Sequence, residues 1–328
     1  MRLASFAFIL VAALSALAQS PAPEIAAQLD AAGLNVDKSL SYEDLAAVVA
    51  YVKGAKDPVA AQQRLIVFKQ AKKVWESTDK EVPAGSRIEL KSMGRDLTGD
   101  GQPDLLFSVF SGGAHCCLTY FVYSLKPKVS KAAAFASGNS GATGFVDIPG
   151  RKKPVIFSAD DTSAYTFTSY AGSVFPMVVL EVGDKGRFVF AQELMKSKLP
   201  GMPPPVCTLA GVKLESFQQR VCDEYASARR KERTAKIKAQ LADIKVGRDH
   251  GKVPWDDYWK TGMMAEMAGE MDRYAYTGHG TAGFGWLDSV WPGNDAVKAR
   301  FVAMYNENKA KSQFVEDLKA LGLYAPKP

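Results

Sequence analysis

Histidine is scarce in this chain. There are three, His115, His250 and His279, among 328 residues. No Gly-x-Ser-x-Gly elbow, His-Glu-x-x-His pair or phosphate-cradling glycine loop occurs, so the best-known hydrolase, zinc-protease and nucleotide signatures are missing. There is no low-complexity tract and no internal repeat of fixed long period. Cysteine is limited to Cys116, Cys117, Cys207 and Cys222. Charge of one sign is not concentrated either: 41 basic residues against 35 acidic ones give +6, spread along the chain. A nucleic-acid binder gathers its basic residues on one patch, so no nucleic-acid partner is expected. Long apolar runs are absent after the first residues, and no transmembrane segment is expected beyond them.

Those first residues set the compartment. Arg2 precedes an apolar run from Leu3 to Leu14, and Ala16-Leu17-Ala18 is a small-x-small cleavage site before Gln19. Residues 1–18 read as a secretory signal peptide. The run falls short of the roughly 20 residues that a bilayer demands. The mature protein is therefore expected to be secreted or periplasmic. In an oxidising compartment an even cysteine count favours disulfides. Pairing Cys207 with Cys222 closes a short loop, worth on the order of 3 kcal/mol in the chain-entropy model. Cys116 and Cys117 are harder to join to each other, because adjacent Cα atoms stand about 3.8 Å apart, below the usual disulfide range. One or both are alternatively expected to bridge to Cys207 or Cys222.

Apolar residues make up 47% and charged residues 23%, a globular composition with length for two ordinary domains. Residues 19–80 read as a helical arm. Ser41-Tyr42-Glu43-Asp44 has the form of a capping box, and Leu45, Val48, Val49 and Val52 follow at helical spacing. Asp57-Pro58 gives a second helix start. Residues 81–198 change to short runs rich in Val, Phe, Tyr and Ile, at 87–91, 105–110, 118–125, 154–157, 176–182 and 188–191, separated by Gly, Pro, Asp and Ser, which argues an antiparallel β domain. Residues 199–206, Leu-Pro-Gly-Met-Pro-Pro-Pro-Val, read as a linker. Residues 207–328 return to helical patterns around a glycine-rich loop at 276–286. The fold class expected is α+β: a small antiparallel β domain, propeller-blade-like or sandwich, flanked by N-terminal and C-terminal helical regions.

The most specific stretch is Asp96-Leu97-Thr98-Gly99-Asp100-Gly101-Gln102-Pro103-Asp104, set between two apolar strands. Asp96, Thr98, Asp100 and Asp104 fall at positions 1, 3, 5 and 9, with the Gln102 carbonyl at 7 and Gly101 at the sharp turn. Calcium takes six to eight hard oxygens from a short flexible loop of this kind. An EF-hand is rejected: position 12 is Phe107, not Glu, and the flanks are strands. The stretch resembles the DxDxDGxxD loop of FG-GAP and VCBS-type repeats, as in integrin-like propeller blades. The likeness covers about 30 residues closely and about 100 loosely. It implies a calcium ion between two strands. Thr98 departs from the Asp or Asn of that pattern, which implies weaker binding. Asp-Gly is also ordinary turn chemistry, so a metal-free polar turn is the plain alternative.

Other features carry less. His115 beside Cys116 and Cys117 has the residue types of a copper or redox centre, although a buried histidine next to a disulfide explains it as well. Met263, Met264, Met267 and Met271 lie on one expected helix, where thioethers pack irregular cores. Asp160 and Asp161 begin a weaker acidic turn. Together the residues point to an exported, calcium-stabilised binding or structural module with a protein or glycan partner in the envelope, and no catalytic residue is named. The rival is an exported hydrolase-like enzyme with its site between the β domain and the C-terminal helices. A third reading is a copper or redox protein centred on His115-Cys116-Cys117.

Overall fold

The computed structural model describes residues 20–56, 61–113, 116–138, 143–183, 186–249, 262–293 and 295–322. Four expectations fall outside these residues: the signal peptide, the helix start at Asp57-Pro58, His115 and His250.

Helix α1, Pro23–Ala31, precedes twelve strands in three four-stranded antiparallel sheets. Each sheet is a meander in chain order. The first holds β1 (Leu34–Tyr42), β2 (Leu45–Val52), β3 (Arg64–Lys69) and β4 (Lys72–Glu76). The second holds β5 (Arg87–Arg95), β6 (Asp104–Gly113), β7 (Cys116–Ser124) and β8 (Ser130–Gly138). The third holds β9 (Gly144–Val146), β10 (Val155–Ala159), β11 (Met177–Val182) and β12 (Phe188–Phe190). After α2 (Gln192–Met195) come α3 (Ser216–Asp223), α4 (Ser227–Asp249), α5 (Met263–Ala275), α6 (Gly280–Val290), α7 (Ala296–Ala310) and α8 (Val315–Leu321). The α+β class stands, with antiparallel sheets between helical regions, the N-terminal one being the single helix α1.

Side-chain alternation explains the stacking. On β6, Leu105, Phe107 and Val109 join one apolar cluster with Ala47, Val49, Leu65 and Val67 of the first sheet. Leu106 faces the other way, with Tyr120, Val122 and Phe135, into a cluster shared with the third sheet. Successive strand residues point to opposite faces, so the middle sheet buries both. Each Leu or Phe so buried contributes roughly 1.5–3 kcal/mol. The first sheet's outer face, Ala46, Val48, Ala50, Ile66 and Phe68, is covered by Ile25 and Leu29 of α1.

The helical arm expected over 19–80 is therefore corrected from residue 34 onward. Residues 45–50 of β2 are all buried, because one face meets α1 and the other meets the second sheet. A strand buried on both sides loses its polar alternation, and its apolar run matches a helical period by accident. The apparent capping box is the two-residue hairpin Glu43-Asp44, with Glu43 at φ 52°. The strands expected at 87–91, 105–110, 118–125, 154–157, 176–182 and 188–191 all appear. The alanine-rich β8 and the three-residue β9 gave no such signal.

The 199–206 stretch does not separate two cores. Val206 is buried in the same cluster as Phe157 and Val179 before it, and Cys222, Tyr276 and Leu318 after it. The glycine-rich 276–286 stretch is largely helix α6 rather than a loop. A Cβ on Gly283 would lie 3.2 Å from Tyr274 Cβ and 3.3 Å from the Met271 carbonyl oxygen, so glycine here allows α5 and α6 to touch. The four methionines are all buried in the helical core with Phe167, Leu287 and Phe301.

Candidate functional site

The 96–104 loop closes the β5–β6 hairpin, with Arg95 paired to Asp104 across its base. Leu97 anchors it in the core between the second and third sheets. Gly99 and Gly101 sit at φ 85° and 80°, where L side chains are strained. That backbone turns their amides inward onto Asp96: Gly99 N–H donates to Oδ1 at 2.6 Å and Gly101 N–H to Oδ2 at 2.9 Å. The Thr98 hydroxyl is 3.4 Å from Asp96 Oδ1. Asp100 Oδ1 accepts from Gln102 N–H at 2.8 Å, and both of those residues are exposed.

Asp104 is different. It is fully buried. Its Oδ2 accepts from the Leu97 and Thr98 amides at 2.7 and 2.9 Å, and its Oδ1 from the Ser124 hydroxyl at 3.0 Å. Ser124 is its cross-strand partner on β7. Burial raises the Asp104 pKa; the Leu97, Thr98 and Ser124 hydrogen bonds oppose that, and the charge of Asp100 adds to it. Among the described residues, no Lys or Arg pairs with Asp96, Asp100 or Asp104. Lys153 comes close, since a Cβ on Gly99 would lie 3.1 Å from its Cδ. Its ammonium, however, turns to the Val182 carbonyl at 3.0 Å and to Glu181 at 3.3 Å.

The donor chemistry of Asp96, Thr98, Asp100, Gln102 and Asp104 fits a hard divalent cation: all oxygen, three carboxylates, no competing ammonium. The arrangement does not gather them around one point. Among the described residues, no group of three or more His, Cys, Asp or Glu side chains is placed to hold a metal ion. Backbone amides occupy the inward oxygens of Asp96 and Asp104.

The cysteines divide clearly. Cys207, in a 3-10 turn, and Cys222, on α3, form a disulfide with Cα atoms 5.5 Å apart, as the spacing suggested. That pairing rules out a bridge from Cys116 or Cys117 to either of them. Cys117 is itself in a disulfide, and no described cysteine is free. The hydrolase reading asked for His115 and His279 in one pocket with acids. His115 lies outside the described residues, and the His279 Nε2 is 3.0 Å from the Ser197 carbonyl oxygen.

A second polar centre escaped the sequence reading. Asp160, noted only as the start of a weak acidic turn, is buried behind β10. Its Oδ2 accepts from Tyr276 Oη at 2.6 Å and Ser312 Oγ at 2.5 Å. Beside it, Asp272 of α5 pairs with Lys309 of α7 at 2.9 Å and accepts from Tyr305 Oη at 2.9 Å. Burial raises the Asp272 pKa and Lys309 opposes that. Burial, with the neighbouring carboxylates, drives the Tyr276 and Tyr305 hydroxyls well above their ordinary range. Asn308 donates to the Thr162 carbonyl at 2.8 Å and to Thr166 Oγ1 at 3.0 Å. These partners lie 33 to 152 residues apart in the chain, so no local pattern could reveal them.

No helix among the described residues is long and apolar enough to cross a membrane. A scan against family models, a search of curated proteins and a search of solved structures each returned no match. The FG-GAP and VCBS likeness thus rests on the loop residues alone.

Proposed function

We propose that this chain is an exported binding or structural module, with a calcium ion at the 96–104 loop and a protein or glycan partner in the cell envelope. Asp96, Asp100 and Asp104 would supply the charge, with Thr98 and the Gln102 carbonyl beside them. The ion would supply the positive charge that no described side chain gives. The observation that carries this reading is Asp104: a wholly buried carboxylate with neutral donors only, raised in pKa by burial and by Asp100. A buried carboxylate without a cation is costly unless compensated. In this reading the ion stiffens the hairpin that Leu97 and Ser124 already place against the core.

Thermal melting tests it. Calcium added to chelator-treated protein should raise the melting temperature of the wild type, by an amount equivalent to about 2.7 kcal/mol at a hundredfold excess over the dissociation constant. Asp100→Ala, an exposed position, should fold normally and lose that response. If both proteins melt alike with and without calcium, the ion reading is wrong.

A further inference from the structure

The strongest unassigned feature lies on the helical side, between α4, α5 and the segment before α3. Three guanidinium groups converge on one carboxylate there. Glu270 of α5 is completely buried. Arg230 Nε donates to it at 2.6 Å, Arg233 reaches it at 3.2 Å, and Arg273 Nη1 at 3.3 Å. Each nitrogen of Arg230 is engaged: besides Glu270, it donates to the Gly201 carbonyl at 2.7 Å and to the Tyr274 hydroxyl, and it lies over the Tyr274 ring. Arg233 is also fully used, with Glu224 Oε2 and the Glu224 carbonyl both at 2.7 Å.

Arg273 is not. A guanidinium offers five N–H donors. Among the described residues, its one side-chain hydrogen bond is the 3.3 Å contact with Glu270, and a second acidic neighbour, Glu224, stands 3.6 Å from Nη2. Its side chain is only 12% exposed. It borders a cavity of about 280 Å³ that Arg233 also lines. The remaining charges of that cavity cancel in pairs, Lys236 with Glu266 at 2.5 Å and Arg229 with Glu232 at 3.6 Å. Three guanidinium groups against Glu270 and Glu224 leave one positive charge, and the spare donors are on Arg273. Burial and the charge of Arg273 both lower the pKa of Arg233, while Glu270 and Glu224 oppose that.

We propose that this cavity is a binding site for a small oxyanion, a carboxylate or phosphate group of a ligand, received by the remaining N–H donors of Arg273, on its Nε and Nη2 side, beside Arg233. A planar guanidinium binds such groups through two parallel N–H bonds, which a lysine cannot reproduce. The bound charge would complete the one missing negative charge of the cluster. Its charged residues lie 120 or more positions along the chain from the 96–104 loop, from Glu224 onward, and the site does not depend on what that loop binds.

The test uses the full chain in chelator, so that calcium plays no part. Inorganic phosphate, sodium acetate and sodium glucuronate are each compared with sodium chloride at matched ionic strength. The expected result is a rise in melting temperature of about 3 °C at tenfold excess over the dissociation constant with at least one oxyanion. Response to phosphate alone assigns a phosphorylated ligand; response to acetate and glucuronate assigns a carboxylate ligand. Arg273→Gln should abolish the response, and Lys311→Gln, in the exposed pair with Glu307 on α7, should keep it. Arg273→Lys keeps the charge and the fold, and should weaken binding at least tenfold in calorimetric titration. No response beyond chloride, or an equal response in wild type and Arg273→Lys, overturns the proposal.

Discussion

Two buried carboxylates, Asp104 and Asp272, sit in opposite halves of this molecule and are neutralised in different ways. Asp272 has Lys309 at 2.9 Å and a tyrosine hydroxyl beside it, with α5 and α7 supplying every partner. Asp104 has two loop amides and a serine hydroxyl and, among the described residues, no Lys or Arg partner. The first is a closed arrangement that needs nothing from outside. The second is satisfied in hydrogen bonds and unsatisfied in charge. The two buried carboxylates thus differ in the charge that stands beside them. The Arg273 cluster is the mirror case, with hydrogen bonds largely made and one positive charge in surplus.

The largest expected effect breaks the closed centre. Lys309→Met leaves Asp272 buried without its cation and should cost about 3–5 kcal/mol in denaturant unfolding. The double change Lys309→Met with Asp272→Leu should recover much of that loss, because two apolar side chains leave no stranded charge. If the single variant is as stable as the wild type, the ion pair is not what ties α5 to α7.

The corresponding change at the open centre should behave in the opposite way. Asn at 104 can keep an oxygen toward the Leu97 and Thr98 amides and turn its amide to Ser124. Asp104→Asn should therefore be neutral or stabilising by about 1 kcal/mol in chelator. It should also lose the whole calcium response, about 2.7 kcal/mol at a hundredfold excess. Destabilisation in chelator beyond that range would show that the Asp104 charge is already compensated inside the protein.

The smallest effect is a pH slope. Asp104 and Asp272 both have folded pKa values above the ordinary carboxyl value of 3.8. In the window just above that value the folded state holds more protons than the unfolded state. Each group's contribution to stability therefore falls as pH rises through the window. Asp104→Asn should flatten the slope of the metal-free protein, and calcium should do the same in the wild type, since it favours the charged form. An unchanged slope in both would remove Asp104 from the pH dependence.

Much of the β region was legible. The strands β5, β6, β7, β10, β11 and β12 follow from their apolar runs and turn residues, and the Cys207–Cys222 bridge from its spacing. The loop residues 96–104 were legible as a group because their chemistry is local: glycine at positive φ, aspartate accepting from amides two to five residues on. The first sheet was not, since β2 is apolar on both faces, and a period of two cannot show where every position is buried. Helix α6 was hidden by glycines whose role is close helix contact rather than turning. Asp272, Lys309, Glu270 and Arg273 carried no signal, because each is defined by a partner on another element.

The sequence by itself determined the α+β class, the acidic hairpin loop and one disulfide, because these depend on neighbours within about fifteen positions. Tertiary structure alone decided that three sheets stack face to face, that Lys309 pairs with Asp272 while no described Lys or Arg pairs with Asp104, and that three arginines share one glutamate. Charge balance in a core is a property of what surrounds a group in space, and chain order does not encode it locally.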